Sequence, residues 1–393
     1  MLRPWRPNAH FAPIAWPSRP CEHLRVRRGV LLGFAPGSAI GIGRFGYGLV
    51  LPLMQTELGL SLAQAGFVGS ANTGGYLLGA LLSHRLLGRI GYRRGVYASL
   101  FLQVLTLLAL WLGPPYAVVL VLRLVQGVLG AFVFVGGAAL LLASGARATA
   151  MGLYFGGMGV GLVLSTGTLP LASGWRASWG LLGVLALLMA VVAVAAARAL
   201  KEPEPRKAEE GGAFARMAPA LAVYALYGAG YIGYMTFVTS GLSAPLAPFW
   251  IVLGFGAMLT GLVWGRVIDR LGGAGSLRLI MFVLFVSSLA PLLRTLPYAS
   301  GLLFGISFLG VITALTTLFR ERLPAGEWAR AMGLSTAAFA TGQALGPTIS
   351  GFAGDLLGGV SAALWAASAL LAAGLLLAFF PLRSTADVTS ATD

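Results

Sequence analysis

The sequence contains few of the side chains that build soluble enzymes and metal sites. Its single cysteine, Cys21, excludes an internal disulfide and a cysteine-based metal site. The three histidines, His10, His23 and His84, stand at no spacing that is typical of metal ligands. Only 10% of the residues are charged, whereas soluble domains carry about 25%. These deficits exclude a soluble globular protein, and we expect neither a metal nor a cofactor.

Long apolar runs take the place of the missing charge. Hydrophobic residues make up 58% of the chain, and many stretches reach the roughly 20 apolar residues that span a bilayer as an α-helix. The 56 glycines suit closely packed membrane helices, because small residues let backbones approach. We therefore predict an all-α integral membrane protein with twelve spans, numbered in chain order. Their predicted positions are residues 29–54, 63–83, 94–112, 116–142, 150–171, 176–198, 217–241, 247–267, 277–295, 298–319, 330–353 and 359–380.

Polar segments divide these spans into two groups. Residues 1–28 are rich in proline and arginine and lack an apolar run, which predicts a disordered basic arm and not a signal peptide. Residues 200–216 form the only long polar break between spans, which is typical of a linker. The predicted organisation is two six-helix bundles, residues 29–199 and 217–381, followed by a tail at residues 382–393.

The positive charge is distributed unevenly among the connections. The tails, the linker and the even-numbered connections hold 23 of the 27 lysines and arginines, whereas the odd-numbered connections hold only Arg176 and Arg294. Cytoplasmic loops of membrane proteins collect such cations, so both termini and the linker are predicted to be cytoplasmic. This rule accounts for the net charge of +15. The expected partners are the lipid bilayer and a small-molecule substrate, and no nucleic acid.

Two arginines lie inside predicted spans, where no acidic residue can neutralise them. Arg44 lies within Gly29–Met54, and Arg123 lies within Tyr116–Ala143. A guanidinium keeps its proton in hydrocarbon and is costly there unless it faces a wet cavity or a partner. All twelve acidic residues lie in tails, loops or helix ends. The pattern predicts a polar cavity that contains both arginines and an anion that comes from outside the protein.

The two halves also resemble each other in sequence. Three pairs of segments correspond: Gly41–Tyr47 with Gly228–Tyr234, Arg89–Gly91 with Arg270–Gly272, and Ala150–Leu153 with Ala331–Leu334. The second and third pairs share one offset, 181 residues, and fall at equivalent places in the topology. Six-span halves of like topology indicate a parallel pseudo-repeat, with a binding site near the midplane between them.

Two loops and one span carry recognisable motifs. They are Arg89, Gly91, Arg93 and Arg94 after span two; Gly265, Asp269, Arg270 and Gly272 after span eight; and Arg123, Gln126 and Gly127 in span four. In these motifs the chain resembles the major facilitator superfamily, over its whole length after residue 28. Gly88 stands where the family pattern has an aspartate. The segment Gly41–Phe45, followed by Ser70–Asn72, is similar to the poorly characterised YbfB/YjiJ-type branch.

This resemblance implies the major facilitator fold, in which two pseudo-symmetric six-helix bundles surround a cavity lined by spans one, four, seven and ten. It also implies a monomeric, multi-pass protein of the bacterial inner membrane that works by alternating access. We therefore predict a secondary active or facilitative transporter, and not an enzyme. The predicted substrate is a small organic solute, with an organic anion favoured.

The arginines are the first candidates for substrate binding. A planar guanidinium binds carboxylate or phosphate oxygens in bidentate fashion, so Arg44, together with Arg123, is expected to hold the anion. The alternatives are that Arg44 reaches outward to water, or that Arg123 only braces helices through backbone carbonyls.

Tyrosines and amides are the second group of candidates. Tyr47 lies three residues after Arg44 on the same helical face, and Tyr231 and Tyr234 occupy matching positions in span seven. They either sandwich an apolar part of the substrate or serve as ordinary packing. Three amides, costly in lipid, either bond between helices or face the cavity: Asn72, Gln126 and Gln343.

The loop motifs are candidates for gating. Their predicted gating residues are Arg89, Gly91, Arg93, Arg94, Asp269, Arg270 and Gly272. Asp269 is expected to attract Arg270, an arginine of the opposite half or a helix N-terminus, and so to close the cytoplasmic side when the cavity opens outward. Because Gly88 replaces the equivalent aspartate, we predict an asymmetric gate. The alternative is that these arginines serve only topology.

The sequence leaves the energy coupling of transport and one rival function open, and it argues against two other functions. No acidic residue or histidine lies within a span, so proton coupling through a protein carboxylate is not expected. Facilitated diffusion, anion exchange and the transport of protons on the substrate itself remain open. The main rival is an efflux carrier for apolar or toxic compounds, with purely structural arginines. A lipid-acting enzyme would need clustered acid, base or nucleophile groups, and a channel would need a filter segment; the sequence shows neither.

Overall fold

The computed structural model describes residues 20–145, 148–203, 214–242, 245–292, 296–323 and 328–380. Within these ranges the chain is helical, with no β-strand. Most of the predicted N-terminal arm and linker, and the C-terminal tail, lie outside the described residues. Span one begins at Pro20, nine residues before its predicted start. A proline is well tolerated in the first turn of a helix, where its missing N–H has no partner to lose.

The described helices group into the twelve spans in chain order. Span one comprises Pro20–Pro36, Gly37–Ile42 and Gly46–Leu58, and spans two to seven are Leu62–Ile90, Tyr92–Trp111, Tyr116–Ala143, Ala148–Thr168, Gly174–Ala197 and Phe214–Gly241. Spans eight and nine are Leu246–Leu289, broken at Gly272; span ten is Pro297–Phe308 with Gly310–Arg322; and spans eleven and twelve are Trp328–Leu357 and Val360–Leu377. Seven described helices, with spans eight and nine counted as one, are long and apolar enough to cross a membrane.

Spans one, two, five and eleven are not among those seven helices. They pack in the middle of the molecule: span two lies along span eleven, and span five lies between spans one and eight. A Cβ on Gly66 would stand 2.3 Å from the carbonyl oxygen of Pro347, and one on Gly159 would stand 2.7 Å from that of Gly254. Glycine therefore allows the close backbone contact between the halves. Because glycine is less hydrophobic than the larger apolar residues, it also lowers the mean hydropathy of these spans.

The loop glycines of the internal repeat have related conformations. Gly91 has φ 89° and Gly272 has φ 67°, a region in which side chains with a Cβ are strained. Each stands directly before a new span, because span three begins at Tyr92 and the polypeptide leaves the break at Gly272 into span nine. The 181-residue offset found in the sequence therefore joins two positions with the same structural task.

The crossing of spans one and five repeats in the crossing of spans seven and eleven. A Cβ on Gly41 would lie 2.5 Å from the carbonyl oxygen of Met158, and a Cβ on Gly228 would lie 2.6 Å from that of Phe339. Met158 and Phe339 are 181 residues apart. The paired segments of the sequence thus make the same helix contact in both halves.

Span one contains one residue more than span seven near this crossing. Gly161 and Gly342, again 181 residues apart, approach the carbonyl oxygens of Gly37 and Ala225. From Gly37 to the crossing residue Gly41, span one advances four positions. From Ala225 to the crossing residue Gly228, span seven advances three. The extra residue lies within the π-helical turn Gly37–Ile42. A π-turn accommodates a single inserted residue and is frequent at functional sites.

The two ends of the bundle differ in how the halves meet. We call them the Gly59 face, where span one turns into span two, and the Gly91 face, where span two turns into span three. At the Gly59 face the carboxylate of Asp355 accepts the backbone N–H groups of Leu62 and Ala63, both at 2.9 Å. These N–H groups begin a long helix and have no partner within it, so an acid of the second half caps a helix of the first.

Further hydrogen bonds join the halves from this face to the middle of the bundle. They link Gln55 with Ser240, Ser70 with Thr348, Thr73 with Gln343, and Arg44 with Gln343. The hydrogen bonds that join described residues of the two halves lie between the Gly59 face and the level of Arg44. This conformation is therefore sealed at the Gly59 face.

Candidate functional site

The π-turn of span one leaves backbone carbonyls for side chains to bind. The N–H of Gly43 donates to the carbonyl of Ser38, five residues back, at 3.1 Å. The carbonyl of Ala39 thereby loses its usual helical donor, and the Nε2 of Gln103 donates to it at 3.4 Å. Span three thus satisfies the first carbonyl that the irregular turn leaves open.

Arg123 of span four binds the second such carbonyl. The N–H of Tyr47 donates to the carbonyl of Arg44, so the carbonyl of Gly43 lacks its helical partner. The Nη1 of Arg123 donates to this oxygen at 2.5 Å. Gly43 directly precedes Arg44, so this bond from Arg123 fixes the segment of span one that carries Arg44.

The remaining contacts of Arg123 also come from the first half. Its side chain is 1% exposed, its Nη1 donates to Gln126 Oε1 at 2.8 Å, and its backbone carbonyl accepts from Asn72 Nδ2 at 3.1 Å. Its Cζ lies 4.9 Å from the ring centroid of Tyr47 and 5.6 Å from that of Trp179. In this conformation Arg123 therefore braces helices, the alternative considered for it above.

Arg44 instead reaches across to the second half. Its side chain is 7% exposed and does not extend to the lipid surface. Its Nη2 donates to Gln343 Oε1 at 2.8 Å, and its Cζ lies 4.8 Å from the ring centroid of Tyr76. The Nε2 of Gln343 donates to the hydroxyl of Tyr231, and the backbone carbonyl of Gln343 accepts from Thr73 Oγ1 at 2.7 Å. Arg44 thus belongs to a hydrogen-bonded network between the halves.

Neither guanidinium has an acidic partner among the described residues. The one ion pair within the described ranges joins Arg93 to Glu202, at 3.9 Å and near the Gly91 face. Among the residues that the structure describes, the Arg44 and Arg123 side chains bind only neutral amide and carbonyl oxygens. Two positive charges in the middle of the bundle are therefore stabilised by dipoles and aromatic faces, and their net charge stays uncompensated.

Most unpartnered buried groups around the arginines are hydrogen-bond donors. Four donor atoms there have no acceptor within the described residues: Arg44 Nε, Arg123 Nε, Gln126 Nε2 and Trp179 Nε1. Gln103 Oε1 is an unpartnered acceptor nearby. A buried donor without an acceptor costs its full desolvation energy. An excess of unpaired donors beside two cations is the environment that an anion, which only accepts hydrogen bonds, would satisfy.

Both arginines line one narrow cavity between the halves. Asn72, Thr73 and Thr236 add polar groups to its wall. The space is too small for an organic substrate in this conformation, so the arginines lie around a closed centre and not in a wide aqueous cavity. Loading requires the halves, or side chains at the centre, to separate.

Aromatic rings of the second half form a stack beside Gln343. Tyr231 and Phe339 lie 5.8 Å apart with nearly parallel planes, and Tyr231 also stacks with Tyr227 at 5.1 Å and with Phe308 at 5.8 Å. Phe308 meets Phe45 of span one edge-on at 6.1 Å. The stack forms one wall next to the network of Arg44 and links the two halves.

The tyrosines predicted as a sandwich are not opposed to each other. Tyr47 turns its ring to Arg123 and donates its hydroxyl to the carbonyl of Ala65 at 2.7 Å. Tyr234 stacks on Phe304 at 4.3 Å, and its hydroxyl lies 3.3 Å from that of Ser300. In this conformation both tyrosines pack within their own half, which is the ordinary-packing alternative given for them in the sequence analysis. Only Tyr231 reaches the network of Arg44.

The structure thus brings most of the predicted residues together and adds others. Seven of the eight substrate candidates belong to the connected centre: Arg44, Tyr47, Asn72, Arg123, Gln126, Tyr231 and Gln343. Four further residues were missed: Thr73, Tyr76, Gln103 and Trp179. Gln103 could have been found as a fourth amide in an apolar run. The others carry no signal in the sequence, because threonine, tyrosine and tryptophan are common in membrane helices.

The loop motif after span two is organised by a carboxylate from beyond span six. Glu202 accepts the N–H groups of Tyr92 and Arg93, at 3.0 and 3.1 Å, at the start of span three. Arg93 also donates its Nη2 to the carbonyl of Leu200 at 2.6 Å. Gly91 supplies the turn before this cap. These contacts hold the first half together and do not reach the second.

The second loop motif has a similar cap from a different source. Both oxygens of Glu321 accept the N–H of Gly273, each at 3.0 Å, directly after the break at Gly272. Four predicted gating residues are exposed and form no ion pair within the described part of the chain: Arg89, Arg94, Asp269 and Arg270. The contact of Asp269 was expected when the cavity opens at the Gly59 face and the side that carries these loops is closed, so it stays a prediction.

Comparison with known proteins connects this architecture to a family. The sequence matches the family described as uncharacterised MFS-type transporter YbfB over residues 37–379. A mutant of the nucleoside transporter NupG shares the fold with TM-score 0.72 and 16% identity, covering 90% of this chain and 98% of that chain. A bacterial homologue of the human lysosomal transporter Spinster, inward-facing and unoccupied, gives TM-score 0.65 and 16% identity, covering 92% and 95%. The chain therefore belongs to the YbfB-type family of major facilitator transporters and is a multi-pass membrane protein.

Proposed function

We propose that this transporter moves a small organic anion across the bacterial inner membrane by alternating access, with Arg44 as the main anion-binding group. The single observation that carries the proposal is Arg44 itself. It is a buried guanidinium at the seam between the halves, its Nε has no acceptor, and no described carboxylate neutralises it. An anionic substrate would supply the missing charge.

Arg44 is favoured over Arg123 as the direct ligand. The hydrogen bonds and ring contacts of Arg123 come from the first half, and Arg123 clamps the carbonyl of Gly43. Arg44 touches both halves, and within the described residues the one hydrogen-bond partner of its side chain is the neutral amide of Gln343. A group at the seam can exchange partners when the halves rock, whereas a group packed within one rigid bundle cannot. We assign Arg123 the supporting role of positioning span one.

The orientation follows from the charge of the loops. We propose that the Gly91 face, with its arginine-rich loop, is cytoplasmic together with both termini and the linker. The seal at the Gly59 face would then be periplasmic, as expected of an inward-facing state, the state named for the similar Spinster homologue. After Cys21→Ser, an impermeant maleimide should label Leu112→Cys in intact cells and Arg94→Cys only in opened cells. The reverse pattern would contradict the orientation.

A thermal-shift screen tests the anion hypothesis. Purified protein is heated with acetate, pyruvate, succinate, benzoate or phosphate, and with acetamide and benzamide as neutral counterparts. At least one anion should raise the melting temperature, its amide should not, and Arg44→Gln should lose the shift. Arg94→Gln, which removes an exposed arginine outside the cavity, is the matched control and should keep it. An equal shift in Arg44→Gln would remove Arg44 from the site.

The aromatic stack supports a second candidate, an efflux carrier for apolar compounds. Tyr227, Tyr231, Phe308 and Phe339 present a continuous aromatic wall beside the seam, and such surfaces bind flat apolar molecules. In that case benzamide should stabilise the protein as well as benzoate does. Arg44→Gln should then leave both shifts in place, so the same screen separates the two functions.

A further inference from the structure

Gln343 is held at the centre of the seam by three hydrogen bonds. Its side chain is fully buried, its backbone carbonyl accepts from Thr73 of span two, and its amide bonds to Arg44 of span one and to Tyr231 of span seven. Two of these bonds join the halves. No other described residue joins span eleven to both span one and span two by hydrogen bonds.

The network fixes which way the amide of Gln343 points. Its Nε2 donates to the hydroxyl of Tyr231, so its Oε1 faces Arg44, at 2.8 Å from Nη2. A fully charged arginine thus receives an uncharged oxygen. Amide oxygens are weaker partners for a guanidinium than carboxylate oxygens, because only the latter add an opposite charge.

The atom of Arg44 that Gln343 occupies is decisive. A guanidinium grips a carboxylate with two parallel N–H bonds along either of two edges, Nε with Nη2 or Nη1 with Nη2. Nη2 contributes one of its two N–H groups to each edge, and Nε has no acceptor within the described residues. A carboxylate that takes Nε and Nη2 together would satisfy the unpartnered atom. Competition with Gln343 requires that its amide oxygen, 2.8 Å from Nη2, accepts the Nη2 hydrogen on this same edge.

From these contacts we infer that Gln343 is an internal stand-in for the substrate: its amide oxygen occupies Arg44 in the empty protein, and the oxyanion of the substrate displaces it. The inference rests on the proposed function, because it assumes that Arg44 binds an anion. It adds how binding is regulated, since the protein carries a neutral competitor for its own site.

Displacement would also change the seam between the halves. The bonds of Gln343 lie at the inner end of the hydrogen-bonded seam, and the bonds of Gln55, Ser70 and Asp355 lie between it and the Gly59 face. When an anion takes Arg44, the innermost side-chain bond between the halves is lost. Substrate binding would then weaken the seal from its inner edge, which couples occupancy to opening of the Gly59 face.

Two substitutions of Gln343 test this role. The probe is the anion of the thermal-shift screen that stabilises the parent protein most, titrated against each variant. Gln343→Leu removes the competing oxygen, so the apparent affinity for the anion should rise about tenfold, the effect of one hydrogen bond to a charged group. The same variant should melt at a lower temperature without ligand, because Tyr231 and Arg44 lose their partner. Gln343→Glu places a tethered carboxylate on Arg44 and should weaken anion binding at least tenfold.

A matched glutamine controls for the loss of a bond between the halves. Gln55 accepts from Ser240 at 2.8 Å on the same seam, eleven residues after Arg44 in span one and near the Gly59 face. Gln55→Leu and Gln55→Glu should change the affinity for the anion less than threefold. If they reproduce the effects of the Gln343 variants, the seam in general sets affinity, and the stand-in role is wrong.

The outcomes separate the inference from the function on which it rests. If no anion stabilises the parent protein, the proposed function fails and the inference falls with it. If an anion stabilises the parent but binds Gln343→Leu equally or more weakly, Gln343 is only a structural clamp and the anion-binding function stands. Should Gln343→Leu not fold, Gln343→Met keeps the side-chain volume without the oxygen, and the same gain in affinity is expected.

Discussion

The two halves of this transporter repeat the same helix contacts with different chemistry. Arg44 stands three residues after Gly41, and in the second half Tyr231 stands three residues after Gly228. Among the described residues, the buried charged side chains are Arg44 and Arg123, both in the first half. The second half offers aromatic rings and the amide of Gln343. One half therefore supplies charge, and the other supplies a neutral wall against it.

The second buried arginine, Arg123, also has an uncharged counterpart in the other half. Arg123 lies seven residues after the start of span four at Tyr116, and Phe304 lies seven residues after the start of span ten at Pro297. Tyr47 stacks on Arg123 at 4.9 Å, and Tyr234, its repeat partner, stacks on Phe304 at 4.3 Å. In both halves a tyrosine therefore stacks on a planar group. That group is the guanidinium of Arg123 in the first half and the ring of Phe304 in the second. Duplicated backbone fixes positions, and single side chains set the chemistry.

Reversing the charge of Arg44 should give the largest effect, compared with removing the hydroxyl of its repeat partner Tyr231. Arg44→Glu puts a like charge where the anion binds, so the affinity for the stabilising anion should fall at least about 100-fold. Tyr231→Phe removes only a hydroxyl at the equivalent position and should change the affinity less than tenfold. Both are measured by ligand titration of the melting temperature. Equal losses in the two variants would show that the halves contribute alike.

The next comparison concerns stability without ligand. Arg123→Leu leaves the carbonyl of Gly43 and the amide of Gln126 without a partner in the core, and should cost about 3 kcal/mol. Phe304→Leu at the repeat position loses ring packing alone and should cost about 1–2 kcal/mol. Thermal denaturation in detergent measures both. A smaller drop for Arg123→Leu than for Phe304→Leu would mean that Arg123 does not brace span one.

The loop glycines should behave alike in the two halves. Gly91→Ala and Gly272→Ala each force a Cβ into a backbone region that is strained, at a cost of about 1–2 kcal/mol. Gly88→Ala is the control, because Gly88 lies within the helix Leu62–Ile90 with open space around its Cβ position. It should stabilise the protein by up to about 1 kcal/mol. Melting temperatures decide whether the repeat extends to these turns.

The smallest effect is expected from the acidic caps. Glu202→Gln and Glu321→Gln keep an acceptor oxygen at the starts of spans three and nine and remove the charge, so each should cost about 0.5–1 kcal/mol. Glu202 also pairs with Arg93 at 3.9 Å, but that partly exposed pair adds little. A loss above about 2 kcal/mol in either variant would point to a gating contact beyond the cap.

Several elements could be read from the sequence because their cause is local. The spans follow from apolar length, and the repeat follows from short matches at one offset. Arg44 and Arg123 were found because an arginine in an apolar run is costly wherever its side chain points. Gln343 was found for the same reason, but its partner in the other half was not.

Other features could not be read because they depend on distant chain segments. Pro36 and Gly37 stand at the start of the break in span one, but they do not specify a π-turn. The open carbonyls of this turn are bound by Gln103 and Arg123 from other spans. Asp355 caps a helix nearly 300 positions away. Tyr234 matches Tyr47 in sequence, yet whether either ring meets a substrate depends on how the spans rotate against their neighbours.

The sequence alone determined that the chain crosses a membrane in two similar halves with uncompensated positive charge inside, because hydropathy and buried charge are properties of each residue in its own segment. Only the tertiary structure decided that Arg123 clamps a helix while Arg44 meets Gln343 across the seam. That difference depends on which oxygen each guanidinium reaches, and an extra residue in one helical turn and the packing of two bundles set that distance.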